Sequence, residues 1–441
     1  MSHSSHDAPT PPAGFRFVET SGGVSHYVLD TNGLTVLVLP NAAAPVATFM
    51  ITYLVGSRNE SIGTTGATHF LEHLMFKGTE RYNKTAGLTI DRALQRVGAQ
   101  INATTWNDRT NYYELLPRES LGLAIDIEAD RMRGALIDPV EMEHERTVIL
   151  NEYDRGDNEP FRKLYQTVWS LAYLAHPYHH PTLGWRSDIE QVTPAGLRQF
   201  YDTYYWPNNA VISVIGDVDT YDVLRQVAER FGAIPASPHP IPTLRVDEPE
   251  QRGERRVVVK KAGELGSLML AYKAPEARHP DADALDVLSV VLGSGKRSRL
   301  FQRLTDRGLT TNASASMTSF RDPGLFSLYA FLAPDYTHAQ VESALRETIA
   351  ILRKDGVTED ELARAKSVMH AHEAFGRDGP FAVASHLNEA IAAGDWKLYT
   401  SYMERVNQVT TEDVHRVAQT YLIDDRCTVG YYVPEAGESG D

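Results

Sequence analysis

The sequence contains a single cysteine, Cys427. One thiol excludes an internal disulfide framework and any cysteine-based metal site, and it leaves the redox compartment unmarked; Cys427 itself reads as a small buried hydrophobe. Long apolar runs are missing as well. No stretch approaches the roughly 20 continuous apolar residues that cross a bilayer as a helix, so no membrane span is expected. Positive charge is in deficit: 43 Lys and Arg stand against 58 Asp and Glu. The resulting net charge of −15 argues against a nucleic-acid partner, whose phosphates would be repelled, and is compatible with basic peptides. Residues 1–14 hold Ser, His and Pro without an apolar core segment, which reads as a disordered lead-in and not as a signal peptide. As it stands the sequence is expected to be cytoplasmic; a periplasmic protein whose leader had been removed would read the same.

What is present is an ordinary globular composition, 42% hydrophobic and 23% charged, in a length that allows two or three domains. The chemistry concentrates in Gly66-Ala67-Thr68-His69-Phe70-Leu71-Glu72-His73-Leu74-Met75-Phe76-Lys77-Gly78. On a helix, His69 and His73 lie on one face, one turn apart, where two imidazoles reach a single ion. Glu72 edges the same face, close enough to take a proton from water activated there. Thr68 is the expected cap of this helix and Gly78 its expected end. An open zinc site wants a third protein ligand from another element. The segment 139–153 reads as a proline-opened helix on which Glu145 and Glu152, two turns apart, share a face, and either can supply that ligand. An acidic run of this kind is otherwise a solvated helix face. His176, His179 and His180 in a Pro-rich turn read as solvated loop residues. His370 and His372, two apart on a helix opened by a Thr358/Glu361 capping box, point to different faces.

Along the chain, residues 25–40 read as a hairpin around Asp30-Thr31-Asn32-Gly33, residues 46–55 as a strand, 89–97 as a helix, and 100–106 and 111–116 as strands. Helical patterns dominate 121–205, and 211–215 returns as a strand. Sheet and helix come in runs instead of strict alternation, so the class is α+β. Five prolines between Pro235 and Pro249 mark a semi-rigid connector. An internal repeat supports a division there: Gln191-Val192-Thr193, with Thr203-Tyr204 beyond it, recurs 217 residues later as Gln408-Val409-Thr410 with Thr420-Tyr421. Each threonine is placed to cap the following helix, with Pro194 at a favoured first position in one copy. The expected plan is a lead-in at 1–14, a metal-bearing domain at 15–234, a linker at 235–250, a homologous domain at 251–436 and a tail at 437–441. Where the repeat would place the metal helix, Ala284 to Gly293 has no histidine, so one metal ion per chain is expected.

The string Gly56-Ser57-Arg58-Asn59-Glu60 followed by 65–79 resembles the pitrilysin/insulinase family of zinc peptidases, the inverzincins. Asn102-Ala103-Thr104 with Thr110, Tyr112 and Tyr113, and Glu145-Arg146 with Val148, Ile149 and Glu152, match as well. The resemblance extends from about Phe17 to Val433 and is to the single-chain, two-domain bacterial type, similar to the mitochondrial processing peptidase branch. It implies two homologous α/β-sandwich domains, each an antiparallel-rich sheet with packed helices, facing each other across a cavity. It makes His69, His73 and Glu152 the ligands of one Zn2+, Glu72 the general base and Glu145 a supporting acid. Hydrolysis of peptide bonds in short or unfolded polypeptides is the reaction that suits these parts, since a cavity closed by two domains excludes folded proteins. Asn102, Ala103 and Thr104 lie on a strand whose edge suits an extended peptide, and the family places the residue matching Asn102 against the substrate backbone.

One departure concerns the second domain. Active relatives supply an arginine and a tyrosine seven residues apart, ending in Gly-Leu-Ala-Tyr, whereas Arg299 to Thr311 contains no tyrosine. The resemblance therefore implies a dimer of one of two kinds: a heterodimer with a homologous zinc-less subunit that carries the Arg/Tyr clamp, or a homodimer with another clamp. The alternative to an endopeptidase is a non-catalytic or partner-dependent subunit of a heterodimeric peptidase or structural complex. The complete ligand set favours the enzyme.

Overall fold

The stretches expected as strands all join one seven-stranded sheet, and a second, five-stranded sheet forms in the other half, in the computed structural model, which describes residues 10–435. In chain order the first half contains β1 (Phe15–Ser21), β2 (Val24–Leu29), β3 (Thr35–Pro40), β4 (Val46–Tyr53), α1 (Ala67–Leu74), α2 (Ile90–Gln95), β5 (Gln100–Thr105) and β6 (Thr110–Pro117). These are followed by α3 (Leu121–Gly134), α4 (Pro139–Asp157), α5 (Pro160–Ala172), α6 (Arg186–Gln191), α7 (Pro194–Tyr204), β7 (Ala210–Gly216) and α8 (Thr220–Phe231). The second half contains β8 (Arg255–Ala262), β9 (Ser267–Lys273), α9 (Ala282–Gly293), β10 (Thr310–Met317), β11 (Leu325–Leu332), α10 (His338–Asp355), α11 (Glu359–Gly376) and α12 (Pro380–Ala392). Then come α13 (Lys397–Thr400), α14 (Tyr402–Gln408), α15 (Thr411–Tyr421) and β12 (Cys427–Glu435). Residues 1–9 of the expected lead-in and the tail at 437–441 lie outside the described residues.

The seven-stranded sheet runs β1-β2-β3-β7-β4-β6-β5, and the five-stranded sheet β10-β11-β9-β12-β8. In the first, β3 pairs with β7 in parallel and β4 joins β7 and β6 antiparallel; in the second, β8 pairs with β12 in parallel and β9 joins β12 and β11 antiparallel. Strands β3, β7, β4, β6 and β5 thus have counterparts of the same order and sense in β8, β12, β9, β11 and β10. The repeat inferred from Thr193 and Thr410 is this topology. Thr193 caps α7 by accepting from Gly196 N, and Thr410 caps α15 by accepting from Asp413 N. The helix α9, between β9 and β10, is the histidine-free counterpart of α1.

Each sheet is covered by helices on both faces, because its central strands are apolar on both sides, as expected of buried strands. In β4, Met50 faces a cluster of Val383, Leu387, Ile391 and Trp396. On that face Thr52 donates to Asn388 Oδ1 of α12 at 2.7 Å. Phe49 and Ile51 alternate to the opposite face. In β9, Met269 and Ala271 pack with Leu164, Val168 and Trp169 of α5, whereas Leu268, Leu270 and Tyr272 pack with α9, α10 and α15. At Gly430 of β12 an added Cβ would come within 2.3 Å of Val168 Cγ2, so α5 lies against bare backbone.

The chain divides into two compact units that are not contiguous in sequence. The first contains Met1–Asn151, Thr182–Arg245 and Gly376–Ser401, and the second Glu152–Pro181, Val246–Phe375 and Tyr402–Asp441. The break at Arg245 falls in the expected linker, where residues 235–254 form neither helix nor strand. The difference from two contiguous domains is an exchange. The segment with α5 comes from the first half and covers the five-stranded sheet; the segment with α12 comes from the second half and covers the seven-stranded one. An amphipathic helix matches either apolar sheet face, and its partner is decided by tertiary packing.

Candidate metal centre

The helix α1 carries Ala67-Thr68-His69-Phe70-Leu71-Glu72-His73-Leu74, with Phe70, Leu71 and Leu74 buried. Its start differs from the expected Thr68 cap. Gly66 is the N-cap, at φ +83, and the side-chain capping comes from Glu60, whose two oxygens accept from Gly66 N at 2.8 Å and Thr68 N at 2.7 Å. Burial pushes the Glu60 carboxyl up to about 8, against the opposing pull of the Thr68 and Gly66 hydrogen bonds. Asp188 fixes the preceding loop by accepting from Gly63 N, Thr65 N and Thr65 Oγ1 at 2.9, 3.1 and 2.7 Å. The helix ends at Leu74, and Gly78, at φ +124, serves the turn beyond it and not the helix terminus.

One turn apart, the His69 and His73 rings stand 4.7 Å between centroids. Glu152 of α4 joins them: one ligand atom from each of His69, His73 and Glu152 lies within 4.8 Å of the others, and all three residues are half-buried. Among the described residues no other group of three such side chains could hold an ion. The trio is carried by two helices, of which α4 is unbroken from Pro139 to Asp157. Two imidazoles and a carboxylate are a zinc donor set, and ligand atoms around a tetrahedral zinc lie roughly 3.4 Å apart, so a small adjustment brings these three onto one ion.

The two glutamates left open on α4 separate here. Glu145 lies beside His73: its Oε2 is 2.8 Å from His73 Nδ1 and its Oε1 2.5 Å from Lys77 Nζ. Burial works to raise the Glu145 carboxyl, and the hydrogen bonds from Lys77 and His73 override it, holding the group below the usual carboxylate range. With Nδ1–H donated to Glu145, the lone pair of His73 resides on Nε2, the nitrogen that would ligate an ion. Glu72 is buried and its Oε2 accepts a hydrogen bond from Thr105 Oγ1. Behind it, the Tyr112 and Tyr205 hydroxyls are 3.1 Å apart, and both phenols are raised, by burial first and also by the Glu72 charge.

Asn102, Ala103 and Thr104 lie on β5, the edge of its sheet, which pairs with β6 on one side and with no other strand among the described residues. Asn102 and Thr104 are exposed and Ala103 is buried, the alternation of a strand with one open face. Sequence reasoning did not find Glu60, Lys77, Thr105 or Asp188. Glu60 and Lys77 lie within quoted motifs and Thr105 adjoins one, but none was given a role; Asp188 acts across more than 120 residues and leaves no local signal.

The loop histidines also differ from expectation. His176 and His180 are buried, and His176 Nε2 lies 3.0 Å from Asp322 Oδ2. They brace a turn over an aromatic cluster that includes Tyr173, Tyr178 and Phe320. His370 lies beside Asn407 Oδ1 at 2.9 Å. Cys427 is buried as expected, and among the described residues no helix is long and apolar enough to cross a membrane.

Residues 35–182 match the family profile described as insulinase (peptidase family M16), and residues 191–369 match the one described as peptidase M16 inactive domain. Over 411 residues the chain is 32% identical to the zinc protease PqqE of Helicobacter pylori, covering 91% of each chain. It is 26% identical over 404 residues to a probable mitochondrial-processing peptidase subunit beta of Arabidopsis thaliana, covering 89% of this chain and 75% of that one. The crystal structure of a protease from Helicobacter pylori superposes with a TM-score of 0.87 at 30% identity, over 95% of this chain and 99% of the other. With its two homologous sheet-and-helix halves, the chain belongs to the M16 family of zinc peptidases.

Proposed function

We propose that the chain is a zinc-dependent endopeptidase acting on short or unfolded polypeptides. The observation that carries this reading is the convergence of His69, His73 and Glu152, with Glu72 next to His73 on the same helix. These three residues would hold one Zn2+, which when bound polarises a carbonyl and lowers the pKa of a water molecule. Glu72 takes the proton of the attacking water and returns it to the leaving amine. Glu145 orients His73 and keeps its tautomer fixed, while Lys77 balances the Glu145 charge. The open edge of β5 at Asn102, Ala103 and Thr104 supplies main-chain hydrogen bonds to an extended substrate, which tolerates many sequences.

The test is cleavage of a quenched, unfolded peptide by the purified, zinc-loaded chain beside its Glu72→Gln variant. Cleavage by the parent and none by the variant, with equal zinc content in both, is the expected result. Comparable cleavage by the variant would remove Glu72 from the mechanism.

A second reading rests on the region 299–311, which has no tyrosine and whose Arg299 is engaged by Glu361 and the Gly356 carbonyl. In it the chain is the zinc-bearing subunit of a heterodimer whose partner supplies the substrate clamp. Bound zinc without cleavage by the isolated chain, and cleavage once a clamp-bearing homologue is added, would establish that arrangement.

A further inference from the structure

We propose that Thr105 is a positioning residue that fixes the carboxylate of Glu72; this rests on the role of Glu72 proposed above. Thr105 ends β5 and is buried, on the same side of the strand as Ala103 and opposite Asn102 and Thr104. Its hydroxyl donates to Glu72 Oε2. An ionised carboxylate only accepts, so a charge-assisted hydrogen bond to one of its oxygens restrains the side-chain torsions.

The donor itself is held. Thr105 pairs with Thr110 across the hairpin, and Thr110 Oγ1 donates to the Val55 carbonyl at 2.9 Å. One residue earlier, the Thr104 carbonyl accepts from Arg109 Nη1 at 3.0 Å. Arg109 is buried, also donates to Asn111 Oδ1 at 2.8 Å and is anchored by Glu389 of α12. The hydroxyl therefore stays in place while Glu72 is drawn toward it. Valine has the same shape as threonine, so packing alone does not require an oxygen at this buried position. The Tyr112 and Tyr205 hydroxyls, on β6 and in the loop after α7, are bonded to each other.

The experiment compares Thr105→Val, Thr105→Ser and Glu72→Gln in steady-state cleavage of the quenched peptide, with zinc content, Tm and zinc affinity by chelator competition measured on each. Thr105→Val is expected to lower kcat about 10- to 100-fold, the scale of a misplaced catalytic group. KM stays within twofold, zinc content and affinity are those of the parent, and Thr105→Ser restores kcat to within threefold. A crystal structure of Thr105→Val is expected to show Glu72 in more than one rotamer. An unchanged kcat, a rise in KM alone, or an equal loss in the Ser variant would each overturn the proposal. Should Val lower the Tm, Thr105→Ala with the same readouts replaces it. Full cleavage by Glu72→Gln would refute the base assignment, and with it this inference. An inactive Glu72→Gln beside a fully active Thr105→Val would refute the positioning role alone.

Discussion

Glu342 in α10 is a carboxylate set by its cations. Burial works to raise its carboxyl, but hydrogen bonds from Arg256, Tyr431 and Arg346 reverse this and hold it at about 2. Arg256 Nη1 donates to Oε2 at 3.0 Å and Arg346 Nε to Oε1 at 2.7 Å, tying β8, β12 and α10 together. A carboxyl depressed in the folded state contributes stability that is present above pH 4.5 and is lost as the pH falls towards 2. Glu342→Gln is expected to lower stability at pH 7 by about 2 kcal/mol, allowing for solvent screening of the arginines. In urea unfolding across pH 2 to 7, the gap between parent and variant should narrow below pH 4.5 and close near pH 2. A gap independent of pH would assign the loss to packing. Glu145 also meets a cation, Lys77, but its second oxygen holds His73, so the same chemistry orients a ring there instead of joining strands.

At the scale of elements, α1 depends on contacts distant in sequence. An added Cβ at Gly66 would lie 2.4 Å from the Leu183 carbonyl oxygen, and the residue already requires φ +83. Gly66→Ala is therefore expected to destabilise the fold by about 3 kcal/mol and to weaken zinc binding, because it shifts the first turn that carries His69. Thermal unfolding and chelator competition measure both, and an unchanged melting temperature would show that the loop relaxes freely. This dependence explains what could be read in advance. The i, i+4 histidines, the caps at Thr193, Thr358 and Thr410, and the hairpin at Asn32-Gly33 are written in local spacing, and each forms as expected. Spacing alone did not decide between Glu145 and Glu152, because residues two turns apart share a face and differ only in position along the helix; the resemblance named Glu152, the residue that stands with His69 and His73. Asp188 and Thr105 were missed because their partners, 125 and 33 residues away, are chosen by the fold. The sheet covered by α5 or α12 was missed for the same reason: an apolar stripe does not name its partner.

For the whole molecule, the exchange of segments sets what can fold alone. A fragment 1–245 lacks the segment 376–401 that packs on its own sheet, and a fragment 246–441 lacks 152–181. Each is expected to expose an apolar sheet face, bind a hydrophobic dye and melt without cooperativity; together they should recover a cooperative transition. A cooperative transition in 1–245 alone would mean that α12 is dispensable to its sheet. The same exchange constrains how relatives of this chain can recombine. A crossover in the Pro-rich linker looks clean on a gene map, yet every chimaera joined there would seat a foreign helix on each of its sheets. Inheritance of the two halves is thereby coupled: an apolar substitution on the α12-facing side of β4 selects its compensation more than 300 residues downstream.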